Sequence, residues 1–170
     1  MLRHTDAHKN ENRPGKQPVN IDIRDATPAD AAVIAEFNTR LAAETEDTVL
    51  DPAVIDAGVA AALADSNKAR YWVAVDDGRV VGQIMVTYEW SDWRNGMLWW
   101  IQSVYVAGSH RRLGVFSALY RHVESLARQD PAVRGIRLYV ENRNRHAQAT
   151  YEALGMVGDA YRVMENLFDE

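Results

Sequence analysis

A chain of 170 residues suits one domain with a single core, and a hydrophobic content of 47% supports a packed globule. The formal net charge of −5 argues against general nucleic-acid binding, and an acidic surface sooner tolerates a cationic small molecule or peptide. Cysteine is absent, which excludes thiol catalysis, disulfides and cysteine-based metal sites; with the histidines scattered along the chain, no metal is expected.

Residues 1–18, MLRHTDAHKNENRPGKQP, are polar and end in Pro and Gly punctuation, so a disordered tail is expected, with one domain over 19–170. They lack the apolar run of a signal peptide, and no stretch approaches the roughly 20 apolar residues of a membrane span. The cytoplasm is the expected location, without a membrane or nucleic-acid partner.

VNIDIRDA alternates as a short strand. Thr27 followed by Pro28, with Asp30 in the capping-box position, starts a helix from about Pro28 to Ala43, striped by Val33, Ile34, Phe37 and Leu41. Asp51-Pro52 repeats the start signal for a shorter helix lined by Val54, Ile55, Val59 and Leu63. YWVAVDDGRVVGQIMVTYEW reads as two strands joined at Asp76-Asp77-Gly78. SDWRNG makes the next turn, and MLWWIQSVYV is dense in aromatic and β-branched residues, as a central strand requires. Val115, Phe116, Leu119, Tyr120, Val123 and Leu126 form an apolar helical stripe. GIRLYV is a further strand, Asn144 to Leu154 a helix ended by Gly155, and YRVMENLF a closing strand. The element order is β-α-α-β-β-β-α-β-α-β, with no internal repeat.

His110, Arg111 and Arg112 stand where the strand SVYV hands over to a helix, although a helix N-terminus repels cations. Gly114 falls in the expected first turn and weakens it by up to ~1 kcal/mol relative to Ala. Both features make sense if a phosphate binds the free N–H groups there. A solvated basic turn capped by Ser109 is the bland alternative. P-loop and Rossmann patterns are absent.

A second motif shifts the balance. NRNRHAQATYEALGM spaces Asn144, Ala147, Tyr151 and Gly155 along one helical face and its exit. Together with RRLGVF after SVYV, it resembles the GCN5-related N-acetyltransferase (GNAT) family, over nearly the whole of Val19 to Phe168. The resemblance implies a single-domain mixed α/β fold. In that fold a twisted, mostly antiparallel sheet with one splayed parallel pair is flanked by helices.

It also implies acetyl-CoA as donor. Arg111, Arg112, Leu113, Gly114, Val115 and Phe116 match the pyrophosphate loop, and the Val104–Tyr105–Val106 strand end matches the segment whose backbone pairs with the pantetheine arm. Asn144 matches a cofactor contact and Tyr151 the general acid. The family loop commonly reads Q/R-x-x-G-x-G/A, so Phe116 departs from it and its bulk must point into the core.

The chemistry asks for two proton transfers. A CoA thiolate leaves tolerably at a thiol pKa near ~8.5 but benefits from a proton, which Tyr151 could supply; a core aromatic is the alternative. An alkylamine acceptor, with pKa about 10.4, must lose a proton. Gln102 stands where the family often carries glutamate and cannot act as a base. Glu89 is the nearest substitute, against an exposed structural glutamate or a relayed water.

For the acceptor, LAAETEDTVLD carries Glu44 and Glu46, and Tyr88 and Trp90 could add aromatic walls for a cationic amine of a small molecule or peptide. A solvated acidic loop over an aromatic core reads equally well. A catalytically silent acetyl-CoA-binding or interaction module of the same fold remains the other class. Subunit pairing is left open.

Overall fold

The structure is a computed structural model that describes residues 20–142, 144–158 and 163–168. Its elements run β1 (Asp22–Asp25), α1 (Ala31–Thr45), α2 (Pro52–Ala64), β2 (Arg70–Asp76), β3 (Arg79–Ser91), β4 (Gly96–Val106), α3 (Val115–Gln129), β5 (Val133–Leu138) and α4 (Arg145–Ala153). The five strands form one sheet in sequence order, antiparallel from β1 to β4 and parallel between β4 and β5. This is the mixed sheet expected.

The local signals act where the sequence placed them. Asp77 and Gly78 take φ of 47° and 74°, as a tight hairpin between twisted strands requires. Asp51 accepts a hydrogen bond from the Ala53 amide at 2.8 Å, with Pro52 at the first position of α2. Pro28–Asp30 forms a 3-10 turn, so α1 starts at Ala31 rather than at Pro28. The reason is Asp30, which is nearly buried and accepts from the Thr27 amide at 2.7 Å and from Arg24 at 2.8 Å. The Arg24 guanidinium, with help from Thr27, holds its carboxyl down at about 2 against the cost of burial.

Helices cover both faces of the sheet. On one, Ile34, Ala35 and Val59 of α1 and α2 close over Tyr71 and Val73. On the other, Val115, Leu119, Tyr120 and Val123 of α3 pack on Trp72, Ile84, Val86, Trp99 and Ile101. Burying such side chains contributes about 1.5–3 kcal/mol each, so α3 is anchored by its apolar stripe.

Four expectations need correction. The strand sought in GIRLYV is displaced: β5 runs Val133–Leu138, leaving Tyr139 and Val140 exposed. Its last partner pair is Ile101–Leu138, after which β4 bulges and no longer offers a ladder. Gly114 is the N-cap of α3, at φ +80°, rather than a first-turn residue, and α4 begins one residue after Asn144, which caps it. Of the closing strand YRVMENLF, residues 161 and 162 lie outside the described residues, and 163–168 are not in a strand. Its apolar residues Val163, Met164, Leu167 and Phe168 fall on both parities, so pairing would bury no single face. The expected tail, residues 1–18, also lies outside the described residues.

Candidate active site

The site begins at an irregularity in β4. Gln83 pairs with Tyr105 and Met85 with Gln102, so Ser103 and Val104 together face the single residue Ile84. This β-bulge carries Ser103 at φ +47°, a region that costs a non-glycine residue about 1–3 kcal/mol. Beyond it β4 and β5 part. The Ala107 amide donates to the Val81 carbonyl across to β3. By the alternation of strand backbone, the N–H and C=O groups of Val104 and Val106 therefore point away from β3, into the gap beside β5. An unpaired strand edge is a template for another extended chain, although the Val106 carbonyl here already accepts from Arg111 Nε at 2.9 Å.

The loop after β4 ends at α3. Gly114 caps that helix without a side-chain hydrogen bond, and the first turn carries no acidic residue. No side chain of the cap or first turn therefore competes for the N–H groups at the start of α3. Arg112 lies at φ +63°, with no side-chain partner among the described residues. Arg111 behaves differently. Its Nε donates to the Val106 carbonyl at 2.9 Å, and its Nη2 donates to Glu44 at 2.5 Å. The guanidinium also lies over the Tyr105 ring, 5.3 Å from the centroid, and the Tyr105 hydroxyl donates to Glu44 at 2.8 Å. Arg111, then Tyr105, lower the Glu44 pKa, while burial followed by Glu44 raises that of Tyr105.

At the start of α4, Asn144 accepts from the Ala147 amide at 3.0 Å, so its carbonyl oxygen caps the helix and its amide nitrogen remains to donate. Tyr151 follows two turns later and packs edge-on to Phe116, 5.6 Å between ring centres. Phe116 also meets Tyr120 at 6.2 Å, which turns its bulk toward the core. Burial raises the Tyr151 pKa above its usual 10. Tyr151 therefore packs on the first turn of α3, the helix into which the loop from the β4 edge leads.

A family model described as Acetyltransferase (GNAT) family matches residues 31–156. The chain belongs to the GNAT acetyltransferase family. It is 46% identical to a possible acetyltransferase from Clostridium difficile 630, with a TM-score of 0.82 over 88% of this chain and 99% of that one. A predicted acetyltransferase from Clostridium acetobutylicum, solved with acetyl-CoA, shares the fold at 16% identity and a TM-score of 0.72, covering 86% and 96% of the two chains. No curated protein matches.

The other residues singled out in this acetyltransferase do not gather around the β4 edge and the start of α3 as a set. Glu89 shares a sheet face with Trp100 and Arg137, accepting from the Trp100 indole N–H at 2.5 Å and from Arg137 at 3.0 Å. Tyr88 points to the opposite face, against Trp99 at 6.1 Å, and Trp90 is exposed near the hairpin end. Glu46 is exposed beside Glu44, whereas Glu44 itself is held by the donor-side loop. Gln102 donates to the Thr87 hydroxyl at 2.8 Å. Sequence reasoning missed the buried Gln83, whose signal is a lone amide inside the apolar run VVGQIMV, and its partner Asn38. It also missed Arg137, which neutralises Glu89. Among the described residues no acidic or histidine cluster could hold a metal ion, and no helix is long and apolar enough to cross a membrane.

Proposed function

We propose that this acetyltransferase moves the acetyl group of acetyl-CoA directly to a primary amine of a small molecule or peptide. The observation that carries the reading is the β4 edge around Val104, left beyond the last β5 pair at Ile101–Leu138, together with the start of α3, which opens at Gly114 with no acidic residue in its first turn. An extended pantetheine arm would pair with that edge. Its diphosphate would meet the N–H groups of Leu113 to Phe116 and Arg112, while Asn144 would donate to the arm from α4. The amine nitrogen then attacks the thioester carbon, the C–N bond forms as the C–S bond breaks, and the sulfur takes the Tyr151 hydroxyl proton. Glu89 would have to release Arg137 and Trp100 to accept the amine proton, so water lying against the backbone carbonyls of β4 is the route we favour.

A second reading has its own support: Glu89 is ion-paired and Gln102 cannot ionise, as a silent acetyl-CoA-binding module would permit. Thiol release from acetyl-CoA, followed with a disulfide reagent across a panel of primary amines, separates the two. The chain has no cysteine to give background. Amine-dependent thiol release with an acetylated product by mass supports the transferase. Acetyl-CoA binding without release under any amine supports the module, and failure to bind acetyl-CoA removes both.

A further inference from the structure

Gln83 is fully buried in the middle of β3, a costly place for a carboxamide unless it is hydrogen-bonded. Its Nε2 donates to Asn38 Oδ1 of α1 at 2.7 Å and to the Ser103 carbonyl of β4 at 3.1 Å. Asn38, itself buried, donates in turn to the Tyr71 hydroxyl at 3.2 Å. Gln83 Oε1 has no partner among the described residues. Both contacts of the amide are to acceptors, so its orientation is fixed with nitrogen toward the bulge. An unpaired buried oxygen is a sacrifice that an apolar residue here would avoid. What it secures is the Ser103 carbonyl, at the bulge of β4.

We infer that Gln83, held by Asn38, is a positioning residue that aims the Val104 N–H at the thioester oxygen of the bound donor. No peptide bond in the chain is cis, so the Ser103 carbonyl and the Val104 N–H point in opposite directions across one rigid plane. Anchoring the carbonyl to Gln83 therefore directs the N–H into the gap beside β5. In the attack, negative charge develops on the thioester oxygen, and a pre-aimed backbone donor stabilises it. Gln83 touches neither substrate. It acts through the Ser103–Val104 plane, and the inference rests on acetyl-CoA being the donor.

The test uses acetyl-CoA labelled with carbon-13 at the thioester carbonyl, whose infrared stretch falls when a donor polarises it. The full chain should bind it and lower that frequency. Gln83→Met keeps the volume and removes the donor. It should bind acetyl-CoA with affinity within about threefold of the parent yet return the stretch toward its free value. With any amine that supports turnover, kcat should fall about 10- to 100-fold at unchanged acetyl-CoA KM, as a misaimed group costs. Asn38→Asp keeps the acceptor for Gln83 and should retain the frequency shift, whereas Asn38→Ala should lose most of it. If Gln83→Met does not fold, the Asn38 pair decides the question alone. An unchanged stretch in Gln83→Met or Asn38→Ala, or an affinity loss that matches the rate loss, overturns the inference. If the parent chain does not bind acetyl-CoA at all, the proposed function falls instead.

Discussion

Replacing Tyr151 with Phe separates packing from proton donation. The ring meets Phe116 edge-on at 5.6 Å, an arrangement worth about 0.5–1.5 kcal/mol that phenylalanine preserves. The hydroxyl has no hydrogen-bond partner among the described residues, so its removal strands no buried group. Folding stability should change by less than about 0.5 kcal/mol, and CoA affinity should hold. Loss of a general acid, in contrast, typically costs 10²–10⁴-fold in kcat, about 3–5 kcal/mol in the barrier. The pH profile adds a sign. Burial raises the Tyr151 pKa, so the proton-bearing form persists beyond pH 10 and the parent enzyme should show no alkaline decline from this group below that pH. Steady-state thiol release from pH 7 to 9.5, with melting curves on both proteins, measures all of this. A Phe variant with parental kcat, under conditions where chemistry limits turnover, would reduce Tyr151 to a packing residue and leave solvent as the acid.

Two shorter expectations follow from the charged groups. Arg112→Ala should weaken CoA binding about tenfold, the worth of one charge-assisted hydrogen bond, as read by calorimetry; unchanged affinity would place the diphosphate elsewhere. Asp30 has a folded-state pKa of about 2, below its unfolded value, so its stabilisation is complete above about pH 4 and is lost as pH falls from there toward 2. At neutral pH Asp30→Asn should cost about 2 kcal/mol, or roughly 5 °C in melting temperature, and a variant as stable as the parent at pH 7 would refute the pairing with Arg24.

Much of this architecture is written in short-range chemistry. Asp77-Gly78 turns a hairpin because both positions need positive φ, and Thr27, Asp51 and Asn144 announce helix starts because their side chains compete for backbone N–H groups. The candidate site itself is less visible. Ser103 adopts φ +47° with nothing in its own chemistry to request it, and its carbonyl accepts from Gln83, twenty residues away on the neighbouring strand. Arg111 and Glu44 lie 67 residues apart, so a loop that reads as free positive charge turns out to be half-neutralised. Glu89 looks like an available base until Arg137, 48 residues on, arrives beside it. Pairings of this kind are set by tertiary packing, and no local pattern encodes them.

That half-neutralised loop changes what Glu44 is expected to do. As an acidic residue near an acceptor it would attract an amine, and its removal would raise the acceptor KM. Bound to Arg111 and Tyr105, it instead sets negative charge beside the place where a diphosphate would sit. Glu44→Gln keeps the shape, frees the guanidinium and removes a like charge from the ligand's approach. Both partners are about half exposed, so solvent discounts the effect to that of a surface pair, about 0.2–1 kcal/mol. CoA should bind roughly two- to fivefold more tightly, and the gain should shrink as salt screens it. The acceptor KM should not move. Weaker CoA binding would mean that Glu44 is needed to hold the loop in shape. A raised acceptor KM with unaltered CoA affinity would return Glu44 to the amine.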